Sequence, residues 1–215
     1  MHTDHLIAST FETHQPLISR YALASPEGLA DTYRFTLATI QQPLFHVPEI
    51  VADFRDKGAS SKWAWGFKGD CLNWLEASTS ALYRHTVNLW EAYPNPDHLE
   101  GEALAYFATL PGLGLVKGGF FAQLVYGVGG CLDSHNVARF GLNPQAFKAS
   151  SFKAAKRQST RNSRIALYRD LLSECGGAAL LWAEWCAYVA TRGTHNYQSA
   201  EHVSRLHCEA LSIAS

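Results

Sequence analysis

The chain has 215 residues, of which 47% are hydrophobic and 17% charged, and its net charge is −1. This composition excludes a disordered chain, and the length suffices for a single domain over 1–215, built as one core or as two interlocked lobes. No apolar run approaches the roughly 20 residues that span a bilayer, and the N-terminus lacks the basic and apolar regions of a signal peptide, so we expect a cytoplasmic protein.

Apolar residues recur at helical intervals along most of the chain and strand patterns are poor, which predicts an all-α fold. The first predicted helix, 31–42, carries Tyr33 and Ile40 on one face and ends at Pro43. A short helix at 48–57 follows, and then one long helix or two at 71–90. Further helices are predicted at 99–110, 115–126, 165–172, 178–190 and 200–211.

Two of these helices are joined by Pro111-Gly112-Leu113-Gly114, which predicts a helical hairpin at about 99–127. Gly112 and Gly114 permit backbone angles that other residues avoid and let the chain approach a ligand closely. The second helix begins at this turn, and its unpaired N–H groups attract an anion such as a DNA phosphate, with Lys117 beside it. The sequence fits neither a P-loop nor a dinucleotide motif. A glycine-rich connection without a ligand remains the alternative.

Basic residues are concentrated after the hairpin. The segment 134–169 contains no Asp or Glu but has eight of the 18 Lys and Arg residues: Arg139, Lys148, Lys153, Lys156, Arg157, Arg161, Arg164 and Arg169. A local positive patch on a nearly neutral protein is typical of phosphate binding, although it also suits a solvated helix face. We expect Lys153, Lys156, Arg157 and Arg161 to contact DNA phosphates.

Cysteine and histidine spacing predicts no metal site. The five cysteines are scattered without a Cys-x-x-Cys pair, which favours buried or reduced thiols over zinc or disulfides. The ten histidines form no metal-binding pair, and we expect most of them at the surface or at helix ends.

The sequence LPGLG, followed by an apolar helix and then LDSHNVAR, resembles the helix-hairpin-helix DNA glycosylase superfamily, which includes endonuclease III and the adenine glycosylase. The resemblance implies a two-lobed helical fold with the active site in the cleft between the lobes. Asp133, 19 residues after Gly114, matches the catalytic aspartate, with His135 and Arg139 at flanking positions. The segment LATIQQP at 37–43 resembles the place where a glutamine fills the gap left by a flipped base, a role for Gln41 or Gln42.

Two departures from that superfamily restrict the chemistry. Val116 stands where strand-cleaving members have a Schiff-base lysine, and Lys117 comes one residue later, so no lyase activity is expected. Cys175, Cys186 and Cys208 lack the spacing of the family's iron–sulfur cluster. The resemblance implies no cofactor, apart from a structural monovalent cation at the hairpin when DNA is bound.

A narrower resemblance concerns 112–142 and the segment LLWAEWCAYVA at 180–190, which are similar to the bacteriophage alpha-glutamyl/putrescinyl thymine pyrophosphorylases, or amino acid:DNA transferases. It implies that an amine or amino acid replaces pyrophosphate on 5-hydroxymethyluracil in double-stranded DNA. Such an enzyme would work in the host cytoplasm, coupled to a 5-hydroxymethyluracil DNA kinase.

Under this resemblance, Asp133 would accept a proton from the amine, and Lys117, Arg139 and the basic segment through Arg164 would stabilise pyrophosphate. Asn136 would bind the uracil edge or cap a helix. The aromatic residues Trp63, Trp65, Phe67 and Trp74 suit base stacking or, more often, core packing, and Trp182 and Trp185 are expected in the core.

Two other functions remain open on the sequence. One is a monofunctional DNA glycosylase, in which Asp133 stabilises the cationic sugar. The other is a non-catalytic DNA-binding module that partners a base kinase, in which case Asp133 only caps the helix that follows.

Overall fold

The computed structural model describes residues 3–143, 152, 155–192 and 199–214. These residues form α-helices and two short 3₁₀ helices without any strand, which confirms the predicted all-α class. The helices are Thr3–Ala24 (α1), Pro26–Ala38 (α2), Val47–Lys57 (α3), Phe67–Ala92 (α4), Pro96–Phe107 (α5), Gly114–Tyr126 (α6), Ser134–Phe140 (α7), Gln158–Glu174 (α8), Gly177–Arg192 (α9) and Ala200–Ala210 (α10). Within this described part, no helix is both long and apolar enough to cross a bilayer.

Most predicted helices are present, with shifted ends. Helix α2 ends at Ala38 rather than at 42, and its start is capped by Ser25, whose side chain accepts from the Gly28 N–H at 3.0 Å. Helix α4 is one continuous helix of 26 residues, which decides between the two alternatives for that segment. Asn95 caps α5 by accepting from the N–H groups of Asp97 and His98.

Helix α1 was not predicted. Pro16 lies inside it, and a proline within a helical pattern usually marks a break. The helix is held in place by its contacts with α6: Ser19 Oγ donates to the Val125 carbonyl at 2.7 Å and Gln15 Nε2 donates to the Leu124 carbonyl at 3.2 Å. Ile18 on the same helix is completely buried.

Helices α5 and α6 form the predicted hairpin, joined by residues 108–113. Gly112 and Gly114 have φ of +78° and +66°, which confirms the need for glycine. A Cβ on Gly112 would lie 2.8 Å from Cys71 Sγ, and Tyr33 Oη donates to the Pro111 carbonyl. Gly112 therefore permits a close approach to the protein's own helices, whereas an approach to a ligand was expected from the sequence. Pro111 and Gly112 are half-buried at the surface.

The buried side chains form two clusters, and α6 contributes to both. The larger cluster unites α1–α4, α9 and α10 with most of α6, and the smaller one joins α8 to residues such as Leu104, Leu115 and Leu132. All five cysteines are buried and none forms a disulfide, as predicted. Side chains along α6 are consequently positioned from two sides.

The loop between α6 and α7 lies directly on α6. The Gly130 N–H donates to the Gly119 carbonyl at 3.1 Å, and a Cβ on Gly119 would lie only 2.3 Å from the Gly130 carbonyl oxygen. From the other side, Tyr168 Oη on α8 donates to the Gly130 carbonyl at 2.9 Å and accepts from the Leu132 N–H at 3.1 Å. This packing fixes the chain immediately before Asp133.

Replacing Gly119 by alanine should destabilise the fold, because the new methyl group meets main chain that has no room to retreat. We expect a loss of about 1–3 kcal/mol in the free energy of unfolding, the usual cost of overpacking. Gly101→Ala is the matched control: its Cβ meets only the flexible Arg169 side chain, at 3.3 Å, so stability should stay equal or rise slightly. Urea unfolding of both variants measures the difference, and equal stabilities would contradict this account of the loop.

Candidate active site

A cavity of about 440 Å³ opens where the turn after α2, helix α6, the loop before α7, and helices α9 and α10 meet. It brings together six residues that the sequence analysis selected from separate segments. These are Gln41, Gln42, Lys117, Asp133, His135 and Asn136. Residues more than 90 positions apart in the chain thus line the same cavity.

Asp133 is half-buried in the cavity wall and its carboxylate accepts three hydrogen bonds. Oδ1 accepts from the N–H groups of His135 and Asn136, both at 3.0 Å, which makes Asp133 the N-cap of α7. Oδ2 accepts from the indole Nε1 of Trp185 at 3.1 Å. The capping role and a place in the cavity therefore coexist. A carboxylate has about four lone-pair sites, so one remains for a ligand.

Lys117 extends from α6 into the cavity, and its Nζ donates to Thr39 Oγ1 at 3.0 Å. The ammonium also lies 5.1 Å from the centre of the Phe120 ring, within the range of a cation–π contact. In this position the ammonium of Lys117 lies at the cavity and not at the hairpin turn. The predicted contact of Lys117 with a phosphate at the turn would require a different side-chain conformation. Lys117 is the single lysine or arginine among the described cavity-lining residues.

Lys68 was not predicted to have a role, yet it supports the cavity's edge. Its side chain is fully buried, and Nζ donates to the Ile40 carbonyl at 2.8 Å. Burial, and to a lesser extent the charge of Lys117, lowers the pKa of Lys68 to about 8. Lys68 and Lys117 thus hold consecutive residues, Ile40 and Thr39, at the start of the turn that carries the two glutamines.

Gln41 occupies a strained position in that turn. Its φ is +58°, in the left-handed region that residues other than glycine rarely adopt. The side chain is exposed at the cavity edge, whereas Gln42 is half-buried. Strain of this kind costs about 1–3 kcal/mol and is typical of functional sites. The backbone therefore favours Gln41 over Gln42 as the residue presented to a partner.

Four rings form the apolar wall of the cavity: Phe120, Trp182, Trp185 and His207. Trp182 is buried, as predicted, and its Nε1 donates to Ser204 Oγ at 2.9 Å. The prediction that Trp185 is a core residue is wrong, because its ring is half-buried at the cavity and its indole binds Asp133. Helix α9 is apolar on several faces, so periodicity could not distinguish the two tryptophans.

Most histidines were predicted at the surface or at helix ends, and two of the described ones are buried, although His207 lies in the last turn of α10. His14 and His207 are both buried, with 3% and 1% of their surface exposed. Burial lowers the pKa of His207 to about 4, so its ring is neutral at physiological pH. No spacing in the sequence marked His207 as a cavity residue.

Some predicted site residues lie elsewhere. Arg139 Nε pairs with Glu184 Oε2 at 3.1 Å, beside a second cavity of about 550 Å³ that shares His135 and Asn136 with the first. Asn136 Nδ2 donates to the Cys131 carbonyl at 2.7 Å and so holds the loop before α7, while the cap of α7 is Asp133 and not Asn136. Gly112 and Gly114 belong to the hairpin turn and do not line the cavity.

The aromatic residues for which core packing was favoured over base stacking also lie away from the cavity. Trp65 and Phe67 are exposed and Trp63 and Trp74 are half-buried, but the cavity wall includes none of them.

The basic segment is only partly available to a ligand. Lys156 and Arg157 are exposed, Arg161 Nε donates to the Ala155 carbonyl at 2.9 Å, and Arg169 pairs with Glu100 at 3.1 Å. Lys148 and Lys153 lie outside the described residues. The described basic residues of this segment do not line the cavity. They are therefore not placed to stabilise one leaving group there together, as was predicted.

Within the described ranges, no cluster of three or more His, Cys, Asp or Glu side chains is arranged to hold a metal ion. Comparison of the chain with protein-family models, with curated proteins and with solved structures found no match.

Gln41→Gly should stabilise the protein, because glycine adopts positive φ without the steric cost that glutamine carries. A gain of up to about 1 kcal/mol is expected. Gln42→Gly is the control next door: its φ is not positive, so glycine there should lower stability through chain entropy. Thermal and urea unfolding decide the matter, and a loss of stability in Gln41→Gly would show that its side chain and not its backbone sets the turn.

Proposed function

We propose that this protein modifies a DNA base, transferring an amine or amino acid onto pyrophosphorylated 5-hydroxymethyluracil in duplex DNA with release of pyrophosphate. The proposal includes the two-lobed, glycosylase-like arrangement that the hairpin motif implies. The observation that carries it is the meeting of Gln41, Lys117 and Asp133 in one cavity. Such a transfer requires a glutamine that fills the gap left by the flipped base, a cation and a carboxylate.

The size and walls of the cavity suit an everted base. Small-molecule sites measure roughly 300–1,000 Å³, and the volume here, about 440 Å³, lies in the lower part of that range. Stacking of a base on an aromatic side chain is worth about 1–3 kcal/mol, and the rings of Phe120 and Trp185 offer such contacts. Base eversion is the usual route by which enzymes reach a base inside a duplex.

The hairpin turn and the start of α6 would hold the DNA backbone. Pro111 and Gly112 are half-buried, and no side chain caps the first N–H groups of α6. Unpaired N–H groups at a helix start favour a phosphate oxygen. Exposed Lys156 and Arg157 add positive charge in the acid-free segment.

In the proposed reaction, the nitrogen of the amine attacks the 5-methylene carbon while the bond from that carbon to the pyrophosphate oxygen breaks. The attacking amine must first lose a proton if it arrives as an ammonium ion, and the free lone pair of the Asp133 carboxylate accepts it. The ammonium of Lys117 neutralises part of the charge that develops on the departing pyrophosphate. Starting from the ammonium ion, the products are the base carrying a protonated secondary amine, pyrophosphate and the one proton that Asp133 accepted.

The second cavity favours a two-substrate reaction. It adjoins the first at His135 and Asn136, and it carries both charges of the Arg139–Glu184 ion pair at its wall. An amine donor has room there beside the base, and the carboxylate of Glu184 would attract its positive charge. A glycosylase needs only water as its second reactant.

A monofunctional DNA glycosylase is the second candidate, since Asp133 would equally stabilise the cationic sugar formed as a base departs. Its product is an abasic site instead of an amine adduct. Because Lys117 reaches the cavity while Val116 holds the usual lyase position, trapping with borohydride provides a direct check for a Schiff base. A trapped adduct would overturn the expectation that the protein has no lyase activity.

Asp133→Asn should slow transfer strongly while α7 keeps its cap. Asparagine keeps an oxygen for the N–H groups of His135 and Asn136, but its amide nitrogen cannot accept from Trp185 Nε1 or take up a proton. We therefore expect a loss of about 10²–10⁴-fold in rate. The assay incubates duplex bearing pyrophosphorylated 5-hydroxymethyluracil with a set of amines and analyses the nucleosides by mass spectrometry.

Asp170→Asn, at an exposed position of α8 outside the cavity, is the control and should retain full activity. Equal, measurable rates for Asp133→Asn and the wild type would overturn the role of Asp133, and the absence of both adducts and abasic sites with the wild type would leave a DNA-binding module. Abasic sites without adducts would establish the glycosylase.

A further inference from the structure

His207 and Gln123 are the two most buried polar residues of the cavity wall, and the transfer chemistry leaves both unused. His207 lies on α10 with 1% of its surface exposed, among the other rings of the wall. Its ring centre is 4.4 Å from that of Trp182, 5.6 Å from Trp185 and 6.4 Å from Phe120.

The hydrogen bonds of His207 fix its tautomer. Nδ1 lies 3.1 Å from the Val203 carbonyl oxygen and 3.2 Å from that of Ser204. Carbonyl oxygens only accept, so Nδ1 carries the hydrogen and Nε2, on the other side of the ring, has a lone pair. Burial keeps the ring neutral by lowering its pKa to about 4. In the part of the chain that the structure describes, no donor reaches Nε2.

His207 lines the cavity, so a ligand that enters the cavity can supply the donor that Nε2 lacks. We propose, resting on the proposed function, that His207 is a specificity-determining residue whose Nε2 accepts a hydrogen bond from the imide N3–H of an everted uracil-type base. It selects that base class against cytosine-type bases.

The selection follows from the chemistry of the two pyrimidines. A uracil-type ring carries hydrogen on N3, whereas N3 of a cytosine-type ring is itself a bare acceptor. A neutral histidine fixed as an acceptor pairs with the first and leaves two facing lone pairs with the second. Sites that bind a substrate N–H discriminate strongly because their polar groups stay unpaired with the wrong ligand.

The test uses two DNA duplexes that differ in one base, 5-hydroxymethyluracil or 5-hydroxymethylcytosine, each opposite an abasic site so that eversion breaks no base pair. The wild type should bind the uracil duplex about tenfold more tightly or better, the worth of one hydrogen bond. His207→Phe keeps a ring against Trp182 but loses the acceptor, so its preference should fall to about onefold. His98→Phe, at an exposed position on α5, should keep the wild-type preference.

A second readout needs no variant. In the free wild-type protein, the ¹⁵N resonances of His207 should show a protonated Nδ1 and a bare Nε2, and the Nε2 resonance should shift with the uracil duplex but not with the cytosine duplex. This measurement decides the matter if His207→Phe does not fold.

Each outcome bears on a definite claim. A preference that persists in His207→Phe, equal binding of both duplexes by the wild type, or an Nε2 resonance unmoved by the uracil duplex overturns the role of His207 and leaves the proposed function standing. Failure of the wild type to bind either duplex overturns the proposed function and this inference together.

Discussion

The contact between Gly119 and Gly130 determines where the charged side chains of the cavity lie. Two backbones approach so closely there that no Cβ fits, and Tyr168 closes the contact from the opposite side with two hydrogen bonds. The chain leaves this contact and reaches Asp133 three residues later. Lys117, two residues before Gly119 on the same helix, faces the same cavity. One stretch of α6 therefore sets both the cation and the carboxylate.

The cavity combines opposite charges with an aromatic wall, and each charge is anchored by neutral partners. The Asp133 carboxylate is held by two main-chain N–H groups and an indole, and the Lys117 ammonium by a hydroxyl and a ring face. Groups anchored in this way need little rearrangement when charge develops nearby, which is the principle of electrostatic preorganisation. This arrangement suits a reaction in which a proton is taken from one reactant and an anion leaves from the other.

Local patterns in the sequence predicted the parts of the site that depend on local chemistry. The positive φ of Gly112 and Gly114, the capping position of Asp133 and the helices of the hairpin all follow from residues within a few positions of one another. The two glutamines were selected because the segment LATIQQP resembles the place in the glycosylase superfamily where a glutamine fills the gap left by a flipped base. Gln41 was singled out only by its backbone angle, which no residue type reveals.

The features that the sequence did not predict depend on distant contacts. Helix α1 continues through Pro16, and hydrogen bonds from its side chains to carbonyl groups of α6 hold it in place. Trp185 and His207 sit in segments whose apolar residues suit a core equally well. The predicted positive segment is weaker than its composition implied, since Glu184 and Glu100, remote in the chain, neutralise Arg139 and Arg169. Such pairings appear only once the helices are packed.

In the proposed function, this cavity receives a base drawn out of duplex DNA. The most direct measurement is the fluorescence of 2-aminopurine placed next to 5-hydroxymethyluracil in a duplex, because the probe brightens when its neighbour leaves the stack. The account predicts a rise on binding by the wild type and by Asp133→Asn alike, since eversion precedes chemistry. Tight binding with unchanged fluorescence, or no binding at all, would contradict it.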